Sequence, residues 1–204
     1  MLEHMNYHEM MEKTLASLGE KKPRLLLHAC CAPCASWPLE LLSDRSEITV
    51  YYYNPNIMPL EEYEKRLGEF EKLRRFPFRF LAEPWDNETY LAAVRGREGD
   101  PEGGGRCSLC FRLRLERTAR KAKEEGYDFF ATTLTVSPHK NAQVINDIGA
   151  ELGQQWGVPW LYSDFKKREG YKRSIELCRE LDIYRQDYCG CRLLPGKGTG
   201  LPDA

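Results

Sequence analysis

Short apolar runs alternate along the chain with longer amphipathic stretches. Runs rich in leucine, β-branched and aromatic residues predict five strands, at residues 24–28, 48–53, 78–82, 129–135 and 160–162. Helical periodicity and capping residues predict helices among them, at residues 6–18, 61–73, 86–94, 108–125, 141–156 and 173–181. Strands separated by helices form parallel sheets, so the pattern predicts an α/β fold with a mainly parallel five-stranded sheet and helices on both faces.

The length of the chain predicts a single domain. Its 204 residues are enough for one good-sized core, and no stretch has the composition of a linker or an internal repeat. Within a domain that spans residues 1–204, we expect an N-terminal helix in 1–22, an α/β core carrying the functional site in 23–191, and a C-terminal tail in 192–204.

Charge and hydropathy limit the partners of the protein. Thirty Lys and Arg residues face 31 Asp and Glu residues, so the net charge of -1 draws the whole molecule neither to nucleic acid nor to an anionic membrane. Any polyanion site must therefore be a local patch. The polar N-terminus lacks the apolar core of a signal peptide, and no run of about 18 apolar residues occurs. We expect a cytoplasmic protein with no membrane segment.

Seven of the eight cysteines are clustered, and this is the strongest chemical signal in the sequence. The clusters are Cys30, Cys31 and Cys34, then Cys107 and Cys110, then Cys189 and Cys191. The first follows a predicted strand, and ligands bind at the carboxyl ends of parallel strands. The helix at 108–125 should begin at that same edge, which predicts that the first two clusters share one centre.

Three kinds of thiol site differ in how well they fit this spacing. Four thiolates can close around a structural zinc ion, but zinc ribbons usually place their cysteine pairs much closer than Cys34 and Cys107. A thioredoxin-like motif uses only one Cys-x-x-Cys pair. An iron–sulfur cluster with further thiols nearby accounts for more of the cysteines. Cys178, in a helical run, is better explained as a small buried apolar residue.

Other residues near the predicted edge have a functional and an ordinary interpretation. Asp86 and Asp164 follow strands and can ligate iron or handle protons, but each is equally typical of a helix cap or a solvated charge. His28 ends a strand and is equally typical of a core imidazole. A basic rim can contact RNA phosphates or be an ordinary charged helix face. Its members are Arg106, Arg112, Arg114, Arg117, Lys121, Lys166, Lys167, Arg168, Lys172 and Arg173.

Four motifs together closely resemble the cobalamin-independent epoxyqueuosine reductase family. They are residues 28–34 (HACCAPC), 53–57 (YNPNI), 106–115 (RCSLCFRLRL) and 184–191 (YRQDYCGC). The resemblance runs from about residue 23 to residue 191, and the combination of motifs is highly specific. It implies an oxidoreductase of queuosine biosynthesis that acts in tRNA processing. Its fold would be a doubly wound sheet similar to that of the adenine-nucleotide α-hydrolases.

The resemblance also implies a reaction, cofactors and partners. Epoxyqueuosine at the wobble position of a tRNA with a GUN anticodon would lose its epoxide oxygen and become queuosine, with electrons from an external donor. The cofactors would be a [4Fe-4S] cluster and an additional mononuclear iron held by cysteine and aspartate. Cysteines replace the phosphate loop that related nucleotide-binding enzymes carry after the first strand, so no ATP is expected.

Carried over to this chain, the resemblance implies sets of site residues. The metal ligands would come from Cys30, Cys31, Cys34, Cys107, Cys110, Cys189 and Cys191, with Asp86 or Asp164 as the carboxylate. The catalytic residues would come from Cys189, Cys191, Asp86, Asp164 and His28. The residues that bind tRNA would be Arg106, Arg112, Arg114, Arg117, Lys166, Lys167 and Arg168. Which thiols bind the cluster and which the second iron stays open, and residues 189–191 would fold over the site and complete it.

Two competing functions remain at this point. An iron–sulfur-dependent tRNA sulfurtransferase would use a similar fold and cluster, but it would be expected to bind ATP. A non-enzymatic zinc protein that binds RNA would also explain the thiols and the basic residues, and it would be colourless and redox-silent.

Overall fold

The structure is a computed structural model that describes residues 5–191, and it contains one parallel sheet. The strands are β1 (Arg24–His28), β2 (Glu47–Tyr52), β3 (Arg79–Ala82) and β4 (Phe129–Thr132). Their order is β3-β2-β1-β4, and all three pairings are parallel. The chain therefore moves outward from β1 to β3 and returns to the other side of β1. The order reverses between β1 and β4, which is where ligands bind in sheets of this kind.

Helices cover both faces of the sheet. They are α1 (Tyr7–Ser17), α2 (Ala32–Leu42), α3 (Leu60–Gly68), α4 (Asn87–Ala93), α5 (Gly105–Glu124), α6 (Ala142–Trp156) and α7 (Gly170–Glu180), with 3₁₀ helices at Glu69–Leu73 and Thr133–Val136. Successive residues of β1 point to opposite faces. Leu25 and Leu27 pack in a core with α1, α2 and the Glu69–Leu73 turn. Leu26 packs in a second core with α5 and α6.

The predicted fifth strand is wrong, because the sheet of the described residues has four strands. Residues 160–162 make only an isolated parallel bridge, between Trp160 and Phe130. The amide of Asn146 then takes both backbone groups of Ser163. Its Oδ1 accepts from the Ser163 N–H at 3.1 Å, and its Nδ2 donates to the Ser163 carbonyl at 2.9 Å. These groups are no longer free to extend the strand pairing.

Two further elements differ from the predicted pattern. The fourth strand ends at Thr132, where the side-chain hydroxyl accepts from the Leu134 N–H and begins a 3₁₀ turn. The helix predicted at 61–73 is divided at Gly68, and glycine is among the weakest helix formers.

Helix α2 has no counterpart in the predicted pattern. Pro33 lies in its first turn, where proline is tolerated because that N–H has no partner within the helix, but Pro38 lies inside it. This helix leads directly from the first cysteine cluster back along the sheet. It packs on α7, whose Cys178 is 4% exposed and belongs to the apolar core, in agreement with its predicted structural role.

Residues 1–4 and the tail predicted at 192–204 lie outside the described residues. Within residues 5–191, none of the helices combines the length and apolar character needed to span a membrane. The predicted strand and helix order from residue 24 to residue 94 is otherwise that of the structure, with β1 at its predicted bounds.

Candidate metal centre

The first cysteine cluster forms a compact group of three thiols at the carboxyl end of β1. Cys30 and Cys31 lie in the turn after the strand, and Cys34 lies in the first turn of α2. The three sulfur atoms all lie within 4.8 Å of one another, and those of Cys30 and Cys31 are 3.8 Å apart. Three soft ligands at this spacing can bind one thiophilic metal ion.

The protons of this group are unevenly shared. Interactions with the Cys31 and Cys34 thiols, joined by the positive charges of Lys140 and Arg114, hold the pKa of Cys30 well below its usual range, against the effect of burial. The same interaction with Cys30 raises the pKa of Cys31 to about 12. One sulfur is thus favoured as a thiolate, the form that binds metals.

The other four clustered thiols surround a small cavity of about 70 Å³. Cys107 and Cys110 lie near the beginning of α5, and Cys189 and Cys191 come from the end of the described chain. The Tyr90 hydroxyl lies 2.8 Å from the Cys191 sulfur, and the Gly103 N–H donates to Cys107 at 3.3 Å. Burial raises the pKa of Cys110 to about 12. Four thiols around one cavity match the ligand number of a [4Fe-4S] cluster.

A larger cavity of about 330 Å³ adjoins the small one. Cys30 and Cys34 line it, and its walls share Cys189, Arg114 and Lys140 with the small cavity. The structure therefore brings all three cysteine clusters to one edge of the sheet, with Cys189 at the boundary between two groups of thiols. The first two clusters, which were predicted to share one centre, line separate but adjoining cavities, and Cys189 of the third cluster lines both.

Arg114 tests whether these residues fit an anionic metal centre. Its side chain is buried, and its Nε–H donates to the Cys110 carbonyl at 3.1 Å. Its Nη1 is 3.5 Å from the Asn54 Oδ1, and its Nη2 has no hydrogen-bond partner in the described part of the chain. Nor does Arg114 pair there with a carboxylate. A buried guanidinium without a counter-ion is costly. Thiolates bound to iron would supply the missing negative charge, so the donor set fits.

Residues 184–191, here named the closing segment, are fixed over the cavities by contacts with α3 and its neighbours. The buried Arg66 donates to the Cys189 carbonyl at 3.1 Å, and its Nε–H donates to Glu62 at 2.6 Å. The Met58 N–H donates to the Gly190 carbonyl at 3.0 Å. Gly190 has a φ of 97°, and a Cβ there would lie 3.0 Å from Arg66. These contacts hold residues 189–191 beside the other thiols, and that they complete a metal site stays a prediction.

The predicted carboxylates lie apart from the thiols. Asp86 is exposed and caps α4, where it accepts from the Thr89 N–H at 3.1 Å. Asp164 is 6% exposed and pairs with Lys166 at 2.8 Å. Neither residue is among those that line the two cavities. The structure thus supports the helix cap and the ion pair as their roles, and it brings neither carboxylate to the cavities that the thiols line.

His28 has a structural environment. Its Nε2–H donates to the Tyr53 carbonyl at 3.1 Å, and its Nδ1 is 2.8 Å from the Thr132 hydroxyl. Burial, aided by the charge of Arg114, lowers the pKa of His28 to about 3, so the ring is neutral. His28 lines neither thiol cavity, and both of its ring nitrogens have partners. It therefore fits the core interpretation and not the catalytic one.

The predicted basic rim is only partly exposed. Arg106 and Arg114 are each 1% exposed, which corrects their assignment as phosphate contacts on a surface rim. Arg112 pairs with Glu151, Arg117 with Glu83, and Lys166 with Asp164. Lys167 and Arg168 are exposed and are not in an ion pair within the described residues. Of the residues predicted to bind tRNA, the exposed ones without an ion pair in the described structure therefore lie in the loop before α7.

Sequence reasoning missed several residues that line the larger cavity. Asp187 is a carboxylate in the closing segment, two positions before Cys189, and Asn56 belongs to the motif that was interpreted as a turn. Asn56 is 1% exposed, and its Oδ1 has no partner among residues 5–191. Lys140 lies at the boundary of both cavities. For Asp187, the signal was its position inside a cysteine motif. Lys140 carries no local signal.

Comparison with known proteins gives a consistent result. A family model described as "Epoxyqueuosine reductase QueH" matches residues 25–193. "Epoxyqueuosine reductase QueH" of Streptococcus pyogenes serotype M1 is 46% identical over 197 residues, which cover 92% of this chain and 77% of that protein. The protein with the same description from Staphylococcus epidermidis is 39% identical, and the match covers 92% of this chain and 83% of that protein. The one from Thermotoga maritima is 37% identical, and the match covers 82% of this chain and 88% of that protein.

Among solved structures, the chain is similar to a deacetylase of teicoplanin biosynthesis in complex with teicoplanin. The identity is 12% and the TM-score is 0.41, with 78% of this chain and 86% of that chain covered. A likeness this slight bears on neither the fold nor the chemistry.

Proposed function

This chain belongs to the epoxyqueuosine reductase QueH family and is an oxidoreductase, and from that premise we propose that it reduces epoxyqueuosine to queuosine at the wobble position of tRNA. The overall change takes up two electrons and two protons, turns the epoxide into an alkene and releases water. The observation that supports it is that six thiols line two adjoining cavities, with a seventh, Cys31, beside Cys30 and Cys34, and that Arg114 and Lys140 border both cavities.

The two groups of thiols suggest a division of the metal ligands. Four thiols would hold a [4Fe-4S] cluster, because each iron of such a cluster takes one cysteine: Cys107, Cys110, Cys189 and Cys191. The compact group of Cys30, Cys31 and Cys34 would hold a single iron. Asp187 replaces Asp86 and Asp164 as the proposed carboxylate ligand, because it lines the cavity that Cys30 and Cys34 also line.

The proposed metals and the protein have separate tasks. When bound, the metals supply single-electron transfer and Lewis-acid activation of the epoxide oxygen. Arg114 and Lys140 offset the negative charge of the thiolates. Burial opposes the charge of Lys140, but the nearby thiols of Cys189, Cys30 and Cys34 raise its pKa, so its ammonium keeps its protons. The Nζ of Lys140 would then donate a hydrogen bond to the oxygen that leaves the substrate.

The larger cavity is the proposed binding site for the modified base. Its volume of about 330 Å³ lies in the usual range of small-molecule pockets, roughly 300–1,000 Å³. Asn54 and Asn56 lie in its wall, and Arg114 holds the Asn54 Oδ1. A base can enter such a cavity only when it is unpaired, as in an anticodon loop. The closing segment would limit the access of water to the thiols.

Anaerobic reconstitution tests the proposal. The protein is loaded with iron and sulfide, its iron is counted, and it is assayed with dithionite on tRNA that carries epoxyqueuosine, without ATP. We expect a brown protein with more iron than one cluster accounts for, and conversion to queuosine that added ATP does not change.

Other outcomes would contradict specific parts of the proposal. A brown protein that leaves the epoxide intact would exclude the reductase reaction under these conditions and favour tRNA thiolation. A colourless protein that holds zinc would exclude both reactions. Conversion with only four irons per chain would exclude the second iron.

A further inference from the structure

Tyr188 is the one exposed side chain among the tyrosines, phenylalanines and tryptophans that the structure describes. It is 40% exposed, whereas the other described tyrosines, phenylalanines and tryptophans are buried or half-buried. It also lines the larger cavity, next to Asp187 and Cys189. An exposed tyrosine ring normally loses apolar contacts to water. Its place beside the thiols calls for a reason other than packing.

Arg66 holds the ring of Tyr188 from one side. The Arg66 Cζ lies 5.0 Å from the ring centroid, and the guanidinium also reaches the Tyr188 carbonyl at 3.5 Å. Arg66 is 3% exposed and is itself fixed by Glu62. Arg66 therefore covers one face of the Tyr188 ring, while the residue stays 40% exposed. A buried, ion-paired arginine thus supports an exposed aromatic ring at the cavity.

Tyr171, the other tyrosine that lines this cavity, differs in this respect. It is half-buried, Arg185 lies over its ring at 5.2 Å, and the Arg185 Nη2 donates to its hydroxyl at 2.9 Å. The more exposed ring at the cavity is thus the one that Arg66 supports from a buried position.

We propose that Tyr188 is a stacking surface for an unpaired base of the RNA substrate. The inference deepens the proposed function and rests on it, because it takes the larger cavity as the site where the RNA enters. Proteins bind single-stranded RNA by stacking bases on exposed aromatic rings, and a cation behind the ring strengthens such a surface. Stacking uses the ring and not the hydroxyl of Tyr188, which distinguishes it from a role as proton donor.

The test measures how variants of Tyr188 bind a synthetic anticodon stem-loop with guanosine at the wobble position. Fluorescence anisotropy gives the Kd of the anaerobically reconstituted proteins. Tyr188→Leu is expected to raise the Kd on the order of tenfold to a hundredfold, because base stacking is lost. Tyr188→Phe and Tyr188→Trp are expected to bind as the wild type does. The salt dependence of binding should not change, because no phosphate contact is removed.

Tyr184→Leu is the matched control. Tyr184 belongs to the same closing segment, but Lys65 lies 3.4 Å from the centroid of its ring, and the cavity is not lined by it. Its replacement should leave the Kd unchanged. Iron content and visible absorption are measured for every variant and should equal those of the wild type.

Three results would overturn the inference. They are a Tyr188→Leu variant that binds as the wild type, a Tyr188→Phe variant that loses as much affinity as Tyr188→Leu, and a loss of affinity that only follows a loss of iron. Failure of the proposed function would give a different result. If Tyr188→Leu weakened binding of the stem-loop but the wild-type protein did not convert epoxyqueuosine, the stacking surface would stand and the reductase reaction would be excluded.

Discussion

At the scale of single residues, Cys189 occupies a special position because its thiol borders both cavities. We expect Cys189→Ala to lower epoxide reduction by more than the roughly 10- to 100-fold that loss of an outer partner of a metal site costs. Its iron content should fall as well, while the far-UV circular dichroism stays that of the wild type. Iron counting and the tRNA assay on the same preparation check both effects.

Cys178→Ala is the control for this prediction, because Cys178 is a buried thiol in the core and away from both cavities. It should cost about 1 kcal/mol of unfolding free energy and leave iron content and turnover unchanged. Equal turnover in the Cys189 and Cys178 variants would exclude a role of Cys189 in the reaction.

The choice among three aspartates is also a question at this scale. We expect Asp187→Ala to lose iron relative to the wild type and to lose most of the turnover, because Asp187 lines the larger cavity. Asp86→Ala should instead cost about 1 kcal/mol of stability through the lost helix cap and keep its iron. Chemical unfolding and iron counting on the pair distinguish the two roles. The reverse pattern would return Asp86 to the metal site.

At the scale of elements, helix α6 packs closely on the segment that follows it, at Trp160. A Cβ on Gly149 would lie 2.3 Å from the ring of Trp160, so a larger residue there must displace the indole. We expect Gly149→Ala to destabilise the protein by about 1–3 kcal/mol, as overpacked cores do, which thermal or urea unfolding measures.

Gly68→Ala serves as the comparison. Gly68 ends α3 with a helical φ of -61°, and no atom lies within 4 Å of its added Cβ. Alanine there should be neutral or stabilising by up to about 1 kcal/mol. If both alanine variants had the same stability, the close packing of α6 on Trp160 would not hold.

The accuracy of the predicted elements depended on whether their cause is local. The bounds of β1 and the end of α6 were predicted correctly, because apolar runs and a glycine after the helix are local signals. The fifth strand was wrong because the Asn146 amide, remote in sequence, takes the backbone groups of Ser163. Helix α2 was missed because Pro38 masks it.

The residues of the candidate site, like the elements, could be predicted only where the signal is local in the sequence. The thiols could be recognised from residue type and spacing, whereas Arg66 and Lys140 reach the cavities only through the fold. The burial of Arg114 could not be foreseen either, because on its own helix it lies among other basic residues. Tertiary contacts decide which charges meet solvent.

At the scale of the whole molecule, a net charge of -1 leaves RNA binding to local charges. Lys167 is exposed in the loop that precedes α7. The N–H of the neighbouring Lys166 donates to the Thr135 carbonyl, and α7 contributes Tyr171 and Ser174 to the larger cavity. We expect Lys167→Glu to weaken tRNA binding and to reduce the slope of log K against log salt by about 1. A binding titration at several salt concentrations measures both.

Lys123→Glu is the control for this charge reversal. Lys123 is exposed in the last turn of α5, at the opposite edge of the sheet from the thiols. The two variants have the same net charge, so a general electrostatic effect would weaken both equally. Affinity that falls only for Lys167→Glu would locate the RNA contact beside the cavity, and equal affinities would exclude the rim.

The closing segment supplies two thiols of the proposed metal site, Cys189 and Cys191, from the end of the described chain. All the strands and helices of the described structure end by Glu180, so a chain that stopped before residue 189 would still contain the sheet and both cores. It would lack Cys189 and Cys191 and could not assemble the proposed four-thiol site. Metal binding at that site would join the beginning of α5 to the closing segment across a long stretch of chain and stabilise that closure. Iron content would therefore distinguish finished copies of the enzyme from truncated ones that fold.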